Sequence, residues 1–117
     1  MLILICGHSR AGKTTFSQRF KNVIHLDDVH SFTAVIRMIE NITDDVVVEG
    51  IYYSPRERKE LLSHYRGTGA RVICIDTSQE VREARMKHKF RHSYPFLYPT
   101  YEEGWDKIII IRSDSHA

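Results

Sequence analysis

The chain has 117 residues, of which 42% are hydrophobic and 27% charged, and its formal net charge is +2. This length favours a single domain spanning residues 1–117, with a small hydrophobic core. A net charge this low identifies no partner, and no apolar run approaches the ~20 residues that cross a bilayer, so we expect no membrane partner and a soluble, cytoplasmic protein.

The first predicted element is a short buried strand over residues 2–5, and it leads into a glycine-rich stretch (GHSRAGKT) from Gly7 to Thr14. This stretch matches the phosphate-binding P-loop pattern, in which two glycines five positions apart precede a lysine and a hydroxyl residue. The glycines let backbone N–H groups approach phosphates, Lys13 reaches the β- and γ-phosphates, and the Thr14 hydroxyl binds Mg²⁺. The alternative is a glycine-rich loop that merely connects this strand to a helix over residues 13–20. The residues expected to hold ATP or another NTP are Gly7, His8, Ser9, Arg10, Ala11, Gly12, Lys13, Thr14 and Thr15.

Two carboxylates follow the second predicted strand, residues 23–26. Asp27 and Asp28 can accept the proton of an attacking hydroxyl or hold a water on Mg²⁺. We favour Asp27 as the base and as a metal-binding residue because it follows the strand directly, although the sequence does not decide between the two. Asp28 and His30 are candidate acceptor contacts. The alternatives are a solvated Asp pair that caps the next helix, residues 31–40, and a surface histidine.

The third predicted strand, residues 45–49, ends in one carboxylate after three valines. This arrangement is typical of a Walker-B strand and makes Glu49 a candidate for Mg²⁺ binding or acceptor positioning. Tyr52 and Tyr53 follow at the same edge of the sheet, where Tyr52 is a candidate substrate contact that stacks on a base. Core packing of one of these tyrosines is the alternative.

The next segments predict a capped helix and a fourth strand. Ser54, Pro55 and Glu57 form a helix start with a capping box, and that helix extends to residue 64 or 65. A strand follows over residues 71–75. Cys6 and Cys74 lie in predicted strands without metal-type spacing, which indicates buried free thiols, the alternative being a redox-sensitive Cys6.

Positive charge is concentrated in a helix predicted over residues 77–89 and just beyond it. In a phosphoryl-transfer enzyme such a helix can close over the nucleotide as a lid, whereas charge runs elsewhere are solvated faces. An aromatic loop over residues 93–101 either stacks on bases or packs on the core. Trp105 is expected in the core, before a last strand over residues 107–111. The cations that fall near one face are Arg82, Arg85, Lys89 and His92.

Five apolar strands alternate with four helices in this reading. Such alternation predicts an α/β fold with a parallel sheet covered on both faces. The loops after the first four strands then meet at the carboxyl edge of the sheet, where ligands bind in these folds.

With these residues in place, the chain resembles a small P-loop kinase of the polynucleotide-kinase-like group, an AAA-type predicted kinase family. The resemblance implies a three-layer P-loop NTPase fold with strand order 2-3-1-4-5 and a lid over about residues 78–101. It implies transfer of the ATP γ-phosphate to a hydroxyl, often the 5′-hydroxyl of a nucleic acid. By the same resemblance Asp27 is the base, Lys13 binds phosphate, and Arg85 and Lys89 act on the transferred group. The matching parts are residues 7–15, 27–28, 54–58, 85–89 and 101–106.

The chain departs from this family at the acceptor side. His30 and Lys89 stand where the family has arginines, and Glu49-Gly50 is closer to uridine-kinase-like enzymes. Only about 17 residues separate the Asp pair from the third strand, which favours an open site for a polymer end, DNA or RNA. The rival hypotheses are a nucleoside, nucleotide or other small-metabolite kinase, and a regulatory nucleotide-binding ATPase module. The donor base and the oligomeric state stay open.

Overall fold

The computed structural model describes residues 1–7, 13–29, 31–52, 54–76 and 97–112. All the described strands lie in one sheet, and the described helices lie between successive strands of the chain. In chain order the elements are strand β1 (Leu2–Gly7), helix α1 (Lys13–Ser17), strand β2 (Val23–His25), the short helix α2 (Leu26–Val29), helix α3 (Phe32–Ile39), strand β3 (Val46–Glu49), helix α4 (Pro55–His64), strand β4 (Ala70–Asp76), a 3-10 helix η1 (Tyr101–Glu103) and strand β5 (Lys107–Arg112).

The sheet has five strands in the order β2-β3-β1-β4-β5, and every pairing is parallel. This confirms the predicted α/β class and strand order. β1 lies at the centre, between β3 and β4, so the carboxyl ends of these three strands are neighbours. The register sets Ile5 beside Glu49 and Gly7 beside Ile75.

Alternate residues of the strands enter two separate cores, one on each face of the sheet, as expected for a sheet covered on both faces. One core contains residues of α3 and α4 packed on Leu2, Leu4 and Cys6 of β1. On the other face Phe16 of α1 and Phe20 pack against a smaller core that includes Ile5. The layers are therefore helix, sheet and helix.

Local signals in the sequence account for the helix boundaries. The Ser54 hydroxyl accepts a hydrogen bond from the Glu57 N–H at 3.4 Å and Pro55 begins α4, as predicted from the capping pattern. Ser31 caps α3 in the same way through the Ala34 N–H, at 3.2 Å. The N-cap of α3 is thus Ser31 and not the Asp pair.

β2 and α1 are shorter than the sequence predicts. β2 ends at His25, and Leu26 already belongs to α2, because β3, its partner strand, ends at Glu49 opposite His25. α1 ends at Ser17 rather than at Phe20. Its continuation tightens into a turn in which the Phe20 N–H donates to the Ser17 carbonyl at 3.0 Å.

Within the described ranges, none of the helices combines the length and apolar character that crossing a bilayer requires.

Candidate active site

The carboxyl end of β1 packs closely against the backbone of β4 and of the segment after β3. Gly7 has φ +153°, and a Cβ at this position would lie 2.5 Å from the Ile75 carbonyl oxygen. Its N–H donates to the Ile51 carbonyl at 3.3 Å. A side chain is therefore excluded where β1 leaves the sheet, which gives the first glycine of the motif a clear physical reason.

Lys13, near the end of the glycine-rich motif, is the first residue of α1. The Lys13 side chain is buried, and α1 packs beside β1 and β3. Residues 8–12, with the predicted contacts of His8, Ser9, Arg10, Ala11 and Gly12, lie outside the described residues. The backbone of Thr14 and Thr15 belongs to α1, and their side chains are also outside the described part.

Glu49 is the last residue of β3, and its carboxylate is buried. It lies in the sheet between Ile5 of β1 and His25 of β2. One carboxylate oxygen, Oε1, lies 2.6 Å from Nδ1 of His25. Because a carboxylate only accepts, Nδ1 of His25 donates this hydrogen bond.

His25 is a residue that sequence reasoning missed. In the sequence it is an ordinary member of the second predicted strand, and its pairing with Glu49 depends on the register between β2 and β3. The available signal was a polar residue at the end of an apolar strand, two positions before Asp27.

The Asp pair lies at the same edge of the sheet, directly after β2. Asp27 and Asp28 belong to the short helix α2, which begins where β2 ends. The Asp28 side chain is exposed. The Asp27 side chain and all of His30 lie outside what the structure describes, and the role of Asp27 as base stays a prediction.

Tyr52 is positioned as a core residue and not at an open face. Its side chain is 1% exposed, and its ring meets the Phe32 ring edge-on with centroids 5.9 Å apart. The backbone is left-handed, with φ +42°. Among the described residues its hydroxyl has no hydrogen-bond partner. Burial, followed by the negative charge of Glu49, raises the Tyr52 pKa well above its ordinary value. This position matches the core-packing alternative and gives no support to base stacking, while Tyr53 lies outside the described residues.

Arg58 of α4 binds the backbone that follows β3. The sequence did not single out this residue. Arg58 is fully buried, and its Nη1 donates to the Tyr52 carbonyl at 2.7 Å. Its Nε and Nη2 donate to the two oxygens of Glu103, at 2.8 and 3.0 Å. The loop next to Glu49 is thus fixed to helix α4, which packs on one face of the sheet.

Cys6 and Cys74 face each other across β1 and β4 and are buried free thiols, as predicted. Their mutual hydrogen bond and then their burial raise the pKa of Cys6 well above its ordinary value. A thiol held in its protonated form is a poor nucleophile.

The lid cations Arg82, Arg85, Lys89 and His92 lie outside the described residues, as does the aromatic loop up to residue 96. Beyond it, the exposed Tyr98 donates from its hydroxyl to Asp76 Oδ1 at 2.8 Å. Trp105 is buried, as expected, and donates to Glu103 Oε1 at 2.9 Å.

Among the described residues, the oxygen ligands suit a Mg²⁺ ion that is bound together with a nucleotide, rather than one held by protein side chains alone. In the described ranges, no three His, Cys, Asp or Glu side chains converge on one metal position. Mg²⁺ typically takes one or two protein oxygens and completes its shell with water and phosphate. Glu49, a buried carboxylate at the carboxyl edge with one oxygen engaged by His25, is compatible with that role.

No protein-family model matches the chain. No match among curated protein sequences reaches significance. Among solved structures, an unliganded sugar kinase from Janibacter sp. HTCC2649 is similar, with a TM-score of 0.62 and 16% sequence identity. The similarity covers 95% of this chain and 84% of that protein. The chain therefore has the same α/β fold as that structure.

Proposed function

We propose that the chain is an ATP- and Mg²⁺-dependent kinase that transfers the γ-phosphate to a hydroxyl group. The observation that carries this proposal is the neighbourhood of three features at one edge of the sheet. Gly7 ends the central strand, Lys13 begins the next helix, and Glu49 ends the adjacent strand. A P-loop pattern beside a Walker-B carboxylate is the arrangement that binds an NTP with its metal.

The nucleotide would be bound by residues 7–15. Backbone N–H groups of the glycine-rich loop hold the phosphates, and the Lys13 ammonium offsets charge on the β- and γ-phosphates. Mg²⁺, when bound with the nucleotide, lowers the charge that the leaving ADP must carry. Thr14 and Glu49 are the residues we expect to hold it, with Asp27 as a further candidate.

The transfer step itself requires positioning and one proton acceptor. The acceptor oxygen forms a bond to Pγ while the bond from Pγ to the bridging oxygen of ADP breaks. Asp27 takes the proton of the acceptor hydroxyl. Arg85 and Lys89 are proposed to stabilise the charge that develops on the transferred group.

The first candidate acceptor is the 5′-hydroxyl of a polynucleotide. Support comes from the resemblance to polynucleotide-kinase-like proteins and from the short connection between β2 and β3. Val35, Ile36 and Ile39 of α3 are buried in the core, so this helix serves as a layer of the fold. A segment used in this way leaves little chain to enclose a small acceptor.

The second candidate acceptor is a small polyol. The structural similarity to a sugar kinase over 84% of that protein's length favours it. The acceptor classes differ in one physical respect, since binding of a polymer weakens steeply with salt and binding of a neutral sugar does not.

The test is transfer of label from γ-labelled ATP, with 5′-hydroxyl DNA and RNA oligonucleotides beside nucleosides and sugars. Asp27→Asn should lower transfer by about 10²- to 10⁴-fold and leave ATP binding in EDTA intact. Asp44→Asn, the same change at an exposed residue before β3 and at the end of that strand opposite Glu49, is the matched control and should retain most activity. Label on oligonucleotides alone supports the first acceptor, and label on sugars alone supports the second. Binding of ATP without transfer to any acceptor would contradict the kinase and favour a regulatory ATPase module.

A further inference from the structure

His25 and Glu49 form a contact between two strands that the proposed chemistry does not yet use. The residues are direct neighbours in the parallel pairing of β2 with β3, and Nδ1 of His25 lies 2.6 Å from Oε1 of Glu49. The side chain of Glu49 is 7% exposed and that of His25 is 28% exposed. A partly exposed histidine therefore contacts a buried carboxylate.

This contact solves a physical problem for Glu49. Burying a carboxylate is costly unless its oxygens accept hydrogen bonds. Within the part of the chain that the structure describes, His25 is the side chain that donates to Glu49, and it engages Oε1. Fixing one oxygen also fixes the carboxylate plane, and the second oxygen, Oε2, is left to accept from another donor.

We propose that His25 is a positioning residue, which holds Glu49 through Oε1 so that Oε2 accepts from a water of nucleotide-bound Mg²⁺. The inference rests on the proposed function, since it assigns Glu49 to the magnesium nucleotide. Hydrogen bonds to carboxylates around a metal orient them, and losing such a bond typically lowers metal affinity or activity about 10- to 100-fold.

The variants separate the hydrogen bond from the rest of the side chain. His25→Asn retains an N–H donor at the position of Nδ1, because both nitrogens are bonded to the γ-carbon. His25→Leu has a similar volume and no donor. Glu49→Gln removes the charge that Mg²⁺ requires and keeps the shape of the side chain.

The first readout is ATP affinity measured by calorimetry, once with Mg²⁺ and once with EDTA. For the wild type we expect Mg²⁺ to strengthen ATP binding. His25→Leu and Glu49→Gln should reduce this magnesium effect about 10-fold or more and leave the affinity in EDTA unchanged. His25→Asn should retain most of it. The second readout is the Mg²⁺ concentration at half-maximal phosphate transfer, which should rise in the same two variants.

Several outcomes would overturn the inference. They are a wild type without any magnesium effect, a His25→Leu protein with wild-type magnesium dependence, and equal losses with Mg²⁺ and with EDTA. If His25→Leu does not fold, the comparison of Glu49→Gln with His25→Asn decides, and a loss in Asn as large as in Gln contradicts the positioning role. The two proposals fail separately, because a wild type that transfers no phosphate yet shows the magnesium effect, diminished in His25→Leu, refutes the kinase and keeps the role of His25.

Discussion

Arg58 and Glu103 form a buried ion pair with two hydrogen bonds, from Nε to Oε1 at 2.8 Å and from Nη2 to Oε2 at 3.0 Å. Glu103 also accepts from the Trp105 indole at 2.9 Å and from the Thr100 N–H at 3.3 Å. Nη1 of Arg58 also donates to the Tyr52 carbonyl, in the chain that follows Glu49. This network joins α4, the segment before β5 and the loop beside the candidate site.

Removing one member of this pair should destabilise the fold strongly. Glu103→Gln removes the carboxylate charge from the buried ion pair with Arg58, and breaking a buried ion pair typically costs about 3–5 kcal/mol. The free energy of unfolding from urea titration measures it. Glu40→Gln is the matched control, because its 3.4 Å contact with His64 is partly exposed and such pairs contribute about 0–1 kcal/mol. Similar losses in both variants would contradict a special role for the buried pair.

The same carboxylate makes stability depend on acid pH. Burial alone raises the pKa of Glu103, but the hydrogen bonds from Arg58 and Trp105 and the Arg58 charge more than offset this and lower it below 4.5. A lowered pKa in the folded state stabilises the protein above the unfolded value, and this contribution is lost as the pH falls through the folded pKa. As the pH is lowered below about 4.5, the free energy of unfolding of the wild type should therefore decrease more steeply than that of Glu103→Gln. Parallel curves for the two proteins would refute the assignment.

Gly7 should tolerate no side chain. Gly7→Ala places a Cβ 2.5 Å from the Ile75 carbonyl oxygen, at a φ that L-residues rarely adopt. We expect a loss of unfolding free energy well above 1 kcal/mol together with a loss of ATP affinity. Gly69→Ala is the control, since its φ is also positive, at +85°, but its nearest neighbour would be 3.6 Å away. That variant should lose about 1 kcal/mol and bind ATP normally. Normal ATP binding by Gly7→Ala would contradict this account of the strand end.

The hydroxyl of Tyr52 should contribute nothing favourable to folding. Among the described residues it has no hydrogen-bond partner, and an unsatisfied buried group costs about 1–3 kcal/mol. Tyr52→Phe should leave the free energy of unfolding unchanged or raise it. Tyr65→Phe is the comparison, because that hydroxyl donates to the Asp44 carbonyl at 2.7 Å and its loss should cost about 1 kcal/mol. A clear loss of stability in Tyr52→Phe would mean that its hydroxyl has a partner after all.

Much of the fold follows from local patterns in the sequence. Apolar strands such as residues 46–48 alternate with helices whose starts carry their own caps, as at Ser54 and Pro55. These signals act within a few residues, so they predicted the five strands and the starts of α3 and α4, but not the short helix α2. The strand order came from the family resemblance and was confirmed. Burial of Trp105, Cys6 and Cys74 followed from the same patterns.

The contacts that the sequence could not predict join residues far apart in the chain. Arg58 and Glu103 are separated by 45 positions, and no local sequence pattern around either residue predicts their contact. His25 contacts Glu49 only because β2 and β3 pair in one particular register, and Tyr52 turns inward because of a left-handed backbone that no local pattern signals. For the candidate site, therefore, the sequence predicted which strand ends carry it, whereas partners and side-chain directions depended on the tertiary structure.

The most direct test of the central claim is the transfer of label from γ-labelled ATP by the wild type, Asp27→Asn and Asp44→Asn, with ATP affinity in EDTA measured alongside. The account predicts a labelled hydroxyl acceptor with the wild type and with Asp44→Asn, which changes an exposed residue outside the candidate site. It predicts a loss of about 10²-fold or more with Asp27→Asn at unchanged ATP affinity in EDTA. Equal transfer by all three proteins would contradict the role of Asp27, and ATP binding without a labelled acceptor would contradict the kinase itself.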